Sequence, residues 1–248
     1  MTDQPTASTP PAAPRAAATV VMLRDGTAGL EVFMVRRHGL SDVLGGTYVF
    51  PGGKVDPDDA QLQPHQHLDQ DPELLRTSLG EPDLELNVLQ ATALYVAAVR
   101  EAFEECGVLF AHGPGVAGPI DGAEVATCCR AGHSFNDAVA ALGLRLHTQA
   151  LVPWSRWITP AKSPIMTKRF DTRFFLAAAP TGQTAHHDDH EATASVWTTP
   201  QAALAMYRAR EIELAPPQVM GRPAADQQPT MPGMPGTTST GTRPCRRV

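Results

Sequence analysis

The feature that most constrains this chain is AVREAFEECGVLF, residues 98–110, in which Glu101, Glu104 and Glu105 stand within five residues, beside Arg100 and just before Gly107. Residues 91–106 carry a helical period. At about 100° per residue, Tyr95, Val99, Ala102, Phe103 and Cys106 fall on one face. Gly107 is placed to end that helix in a left-handed conformation. On the same wheel Glu104 lies about 60° to one side of Glu101 and Glu105 about 40° to the other. The three carboxylates share an arc of about 100°, roughly opposite Val99 and Phe103. Like charges at i, i+4 repel by a few tenths of a kcal/mol. A solvated helix face tolerates that, since glutamate is a good helix former. A divalent cation reverses the sign, because hard cations such as Mg2+ take carboxylate and phosphate oxygens as ligands. The pattern predicts a helix that buries one face and presents its acids on the other.

A chain of 248 residues, 42% hydrophobic and 19% charged, suffices for one well-filled globular core. The net charge of −6 argues against a nucleic-acid partner, which calls for a basic face. No apolar run approaches the roughly 20 residues of a membrane helix. The start, MTDQPTASTPPAAPRAAATV, lacks the basic stretch and long apolar core of a signal peptide. The expectation is a cytoplasmic protein with no nucleic acid and no membrane among its partners. Cys106, Cys128, Cys129 and Cys245 form no CxxC pair and read as reduced thiols.

Residues 1–15 are rich in Pro, Ala and Thr and read as a disordered segment. ATVVMLRDGTAGLEVFMVRRH reads as two strands around RDGTAG, and GGTYVFPGGKVDPDD as a short strand running into a glycine turn. Residues 60–90 hold Pro64, Pro72 and Pro82 and no long period, which predicts an inserted loop with one short helix. Residues 123–144 read as one or two helices. WSRWIT, RFDTRFFLAAA and ATASVWTT read as strands, and PQAALAMYRAR as a helix with proline in its first turn. The organisation expected is one domain over 16–217, followed by a low-complexity, disordered tail over 218–248.

The string R-E-x-x-E-E-x-G, carried by Arg100, Glu101, Glu104, Glu105 and Gly107, occurs by chance in a chain this long about once in several thousand cases. It resembles the second half of the Nudix box, the signature of Nudix hydrolases, and FPGGKVDPDD resembles that family's strand-turn entry. Counted from Gly53, the position where the box carries a glutamate is Asp59, and residues 60–90 then read as an insertion that separates it from Arg100. No role is assigned to Asp58 or Asp59. TYVFPGGKVD, the insert, AAVREAFEECGVLF, WSRWITP, RFDTRFFLAA and ELAPP resemble, in order and spacing, the Nudix branch similar to the peroxisomal coenzyme A diphosphatases. The resemblance covers residues 18–217.

The resemblance implies a Nudix fold, an α/β/α sandwich with a mixed β-sheet between helices. It implies hydrolysis of the pyrophosphate bond of a nucleoside diphosphate derivative, with coenzyme A or acyl-coenzyme A as the substrate class and Mg2+ or Mn2+ as cofactor. Glu104 and Glu105 would be metal ligands, Glu101 a ligand or base, Gly53 a ligand through its carbonyl, and Arg100 a support for the acids. For a further acid from a distant loop, TAHHDDHEATASVW offers Glu191 ahead of Asp188 and Asp189; a solvated loop is the alternative. His186 and His190, if helical, could share a transition metal. Cations for substrate phosphates are sought in Arg36 and Arg37, and in Arg169 and Arg173 on one face of RFDTRFFL, where pairing with Asp171 competes. Trp154, Trp157 and Trp197 suit core packing more than stacking on a base. ADP-ribose or NADH as substrate, a non-catalytic Nudix module that binds a nucleotide, and a helical scaffold with an acidic face are the alternatives. A homodimer is compatible with the sequence.

Overall fold

The structure, a computed structural model, describes residues 13–39, 45–80, 83, 85–115, 120–161, 168–188 and 192–220. Strands β1 (Arg15–Gly26) and β2 (Gly29–Arg37) are followed by the short β3 (Tyr48–Val49) and β4 (Gly52–Lys54). A 3-10 turn, Pro57–Ala60, leads to α1 (Pro64–His67), α2 (Pro72–Ser78) and the long α3 (Val88–Cys106). Then come β5 (Ala111–His112), α4 (Ala123–Arg130), α5 (Phe135–Ala141), β6 (Arg145–Leu146) and β7 (Val152–Ile158). The chain continues through β8 (Phe170–Ala178), β9 (Ala192–Thr198), α6 (Pro200–Arg208) and α7 (Pro216–Met220).

The main sheet runs β3-β2-β1-β8-β7, with β4 on β1 and β9 on β2. β1 and β8 are parallel, and the other pairings are antiparallel, so the sheet is mixed. β1 is a continuous apolar run because both its faces are covered. Ala18, Val20 and Met22 pack with Phe33, Val35 and α3, whereas Val21 and Leu23 pack with Val32, Met34, Phe174 and Ala203 of α6. This two-sided burial makes the α/β/α layering. β5 and β6 form a separate two-stranded ribbon.

α3 begins at Val88, earlier than its apolar period suggests. Asn87 caps it by accepting from Gln90 N, and the Gln90 side chain returns a bond to Asn87 N. It ends at Gly107, which takes φ 70°. The helix buries far more than one face. Between Ala91 and Cys106 only Glu104 is exposed. The cause is the inserted segment, which is folded rather than a loop. Its Leu62, Leu68, Leu75 and Leu79 join the α3 core, and the alanines at 91, 97 and 98 let neighbours approach closely. Near the ends of the described residues, β1 starts at Arg15 and α7 runs from Pro216 to Met220.

Candidate active site

The last turns of α3 bring Arg100, Glu101, Glu104 and Glu105 against the β4 turn. Glu105 Oε2 accepts from Gly52 N at 2.9 Å. A Cβ on Gly53 would stand 2.5 Å from Glu101 Oε1, so only a glycine lets this backbone lie against the carboxylate. The glycine pair and the acids, more than forty residues apart in the chain, form one constellation.

Arg100 sits at its centre. Its Nε and Nη2 donate to the two oxygens of Asp59 at 2.8 and 2.9 Å. Nη1 donates to Glu101 Oε1 at 2.9 Å and Glu104 Oε2 at 2.8 Å, and Nη2 also reaches Lys54 O at 3.0 Å. Asp59 is 1% exposed and also accepts from Asp56 N. Here the structure supplies a role that sequence spacing withheld. The inserted residues leave the box after Asp59 and return at α3, so the acid and the arginine meet as though nothing intervened.

Three carboxylates, those of Asp59, Glu101 and Glu104, thus contact one guanidinium, and Asp56 stands 3.9 Å from it. Burial holds the Glu101 carboxyl up to about 7, against the pull of Arg100 and with some help from the nearby Glu104 and Asp59 charges. Glu104 is raised as well, chiefly by burial. Burial works against the Arg100 charge, but Asp59, Glu101 and Glu104 together keep it above its ordinary value. Oxygen donors gathered this way, with the proton affinity of Glu101 and Glu104 raised, suit a hard divalent cation, and Glu101, Glu104, Glu105 and the Gly53 carbonyl are the candidate donors.

These side chains line a cleft of about 620 Å3, within the usual range for a small-molecule site. Arg15, Arg37, Lys54 and Lys168 bring positive charge to it. Of the four arginines expected at the substrate, Arg37 lines the cleft and Arg36, Arg169 and Arg173 do not. Arg36 Nε donates to Gly46 O and Arg169 Nε to Thr159 O. Arg173 is 4% exposed and pairs with Asp83 and, at 2.9 Å, with Asp171. The reason is strand alternation. β8 turns Phe170, Thr172 and Phe174 to the cleft, which sends 169, 171 and 173 to the other face. Trp157 lines the cleft, while Trp197 packs on Phe33 beneath the Arg24 guanidinium.

Glu191, Asp189 and His190 lie outside the described residues, as do Cys245 and residues 221–248. Asp188 N donates to Glu105 O at 3.0 Å, and His186 N to Cys106 O at 3.2 Å.

The model of the NUDT19 Nudix domain covers residues 7–222, most of the chain. The chain belongs to this family. The chain is similar to acyl-coenzyme A diphosphatase NUDT19 of Gallus gallus, 27% identical over 230 residues, with 78% of this chain and 60% of that protein covered. The protein of the same name in Homo sapiens is 28% identical over 255 residues, covering 87% of this chain and 63% of that one. This chain therefore spans about 60% of the length of these relatives. The crystal structure of a NUDIX hydrolase from Alicyclobacillus acidocaldarius superposes with a TM-score of 0.63 at 29% identity, over 84% of this chain and 88% of that one. The α/β/α arrangement is thus the Nudix fold. Nudix hydrolases generally use divalent metals. No helix among the described residues is long and apolar enough to cross a membrane.

Proposed function

We propose that this chain is a metal-dependent pyrophosphohydrolase that cleaves the diphosphate bridge of coenzyme A or acyl-coenzyme A. The observation that carries the reading is the meeting of Glu101, Glu104 and Glu105 with the Gly52–Gly53 turn in a cleft that also holds Arg15, Arg37, Lys54 and Lys168. Oxygen donors for a cation and cations for phosphates stand side by side there, as hydrolysis of an anionic diester requires.

Glu104, Glu105 and the Gly53 carbonyl would hold Mg2+ or Mn2+; Glu191 is proposed as a further ligand from its place in the sequence alone. When bound, such ions neutralise the bridge and lower the pKa of water. Glu101 is the carboxylate best suited to accept a proton near neutrality, because burial holds it up to about 7. Arg100, pinned by Asp59, keeps Glu101 and Glu104 oriented. Arg15, Arg37, Lys54 and Lys168 bind phosphate oxygens. Phe170, Phe174 and Trp157 offer apolar surface to the adenine or the pantetheine arm. Water adds to one phosphorus and the bridging oxygen leaves with the other, giving a phosphopantetheine and an adenosine bisphosphate.

The names of the relatives favour this substrate class. A panel of coenzyme A, acyl-coenzyme A, ADP-ribose, NADH and diadenosine polyphosphates with Mg2+ or Mn2+ tests it. The coenzyme A compounds are expected to give the highest kcat/KM. Preference for ADP-ribose or NADH would overturn the substrate and keep the chemistry. Binding without turnover of any compound would make the chain a nucleotide-binding module.

A further inference from the structure

Away from the cleft, Asp69, His112 and His147 converge from three separate places in the chain. Asp69 lies between α1 and α2 in the inserted segment, His112 ends β5, and His147 follows β6. Their ligand atoms lie within 4.8 Å of one another, and none of the three lines the cleft. The geometry points to a second metal site, in which these three side chains hold one divalent cation of the zinc class and tie the insertion to the β5–β6 ribbon. It does not depend on the activity proposed above.

The backbone beneath each ligand is already fixed. Asp69 N donates to Leu146 O at 3.2 Å, and His147 N to Phe110 O at 2.9 Å. His112 is paired with Arg145 across the ribbon, and Leu68 bridges Leu146. The carboxylate is oriented by one oxygen alone. Asp69 Oδ1 accepts from Thr148 N at 2.8 Å, Thr148 Oγ1 at 2.6 Å and Gln149 N at 3.3 Å. Asp69 Oδ2 takes no hydrogen bond from the described residues and stands 3.7 Å from His147 Nε2, too far for one. This division, one oxygen held and the other offered, is how supporting groups orient a metal-binding carboxylate. The two imidazoles lie with centroids 4.2 Å apart at 45°, so both rings border the same space.

The donor set selects the ion. Two imidazoles and one carboxylate suit Zn2+ and its first-row neighbours, whereas Mg2+ favours oxygen ligands and water. Bonds of about 2.0–2.2 Å to nitrogen and oxygen would draw the ligand atoms together by roughly 1 Å, a movement within reach of side-chain rotation. Three protein ligands leave a coordination position for water.

The test uses the full chain, treated with chelator and then titrated with Zn2+ in excess Mg2+, so that Mg2+ competes at the carboxylates of the cleft. Binding stoichiometry and thermal unfolding are read together, with Co2+ as a spectroscopic substitute. The expected result is one bound zinc per chain and a raised Tm. Both should be lost in His112→Ala/His147→Ala, which should keep its Mg2+-dependent turnover. Asp69→Asn keeps an acceptor for Thr148 and so preserves the local fold. It should weaken zinc binding by at least about 10-fold, the lower end of what even a supporting residue costs. Absence of zinc binding by the parent chain, or binding as strong as the parent's in either Asp69→Asn or the double histidine variant, would overturn the site.

Discussion

Asp59 and Arg100, 41 residues apart, meet in a two-point ion pair with N–O distances of 2.8 and 2.9 Å, beneath the acids of the cleft. The pair closes a box that the insertion opens. Asp59→Ala should therefore destabilise the protein, because it leaves part of a buried guanidinium unpaired. Such losses reach about 3–5 kcal/mol, and the lower end is expected because Arg100 keeps Glu101 and Glu104. Urea unfolding measures the change, and kcat should fall with it as Glu101 and Glu104 lose their orientation.

Gly53→Ala would place a methyl group 2.5 Å from Glu101 Oε1. The carboxylate must turn away or the strand must shift, at about 1–3 kcal/mol. Turnover is expected to drop at least about tenfold, since sub-ångström misplacement of a reacting group is enough for that. A kinetic comparison with Gly39→Ala, whose added carbon meets nothing within 4 Å and whose backbone is not left-handed, separates this clash from a general glycine effect.

Without metal, Glu101 should make stability fall as pH rises. The folded chain holds that proton up to about 7, whereas the unfolded chain releases it near the ordinary value of 4.5. Between these values the folded state binds more protons, so stability is lost as pH rises through the window, by at most about 3 kcal/mol. In chelator, denaturation midpoints should decline from pH 4.5 to 7.5, and Glu101→Gln should flatten the decline. An unchanged slope in the variant would contradict the raised proton affinity of the buried Glu101.

Arg37 and Arg173 should separate cleanly. Arg37→Ala is expected to raise KM with little change in Tm, as removal of a phosphate-binding charge should. Arg173→Ala leaves the buried Asp83 without its closest partner and should cost about 3–5 kcal/mol in stability. If Arg37→Ala instead lowered Tm and left KM unchanged, the cleft's cation wall would be misassigned.

The helix and its acids were legible because α3 has a strong apolar period, and three clustered glutamates are unusual without a counter-ion. The strands β1, β2, β7, β8 and β9 were legible from their β-branched and aromatic runs. The insertion was not, because helices as short as Pro64–His67 and Pro72–Ser78 complete too few turns to show a period. Alternation on β8 separated two faces but could not say which one meets the cleft. Arg173 was thus expected at the substrate, and Phe170, Thr172 and Phe174 were passed over. Asp59, Lys54 and Lys168 acquire roles only through tertiary placement, and so does the grouping of Asp69 with His112 and His147, which follows no ligand spacing in the chain.

The most direct test of the account is the Mg2+-dependent rate of coenzyme A cleavage by Glu104→Gln/Glu105→Gln, measured at saturating substrate with folding checked by circular dichroism. The account predicts a folded protein whose kcat is lower by at least about 10^2- to 10^3-fold. A folded variant that turns over at the parent rate would contradict it.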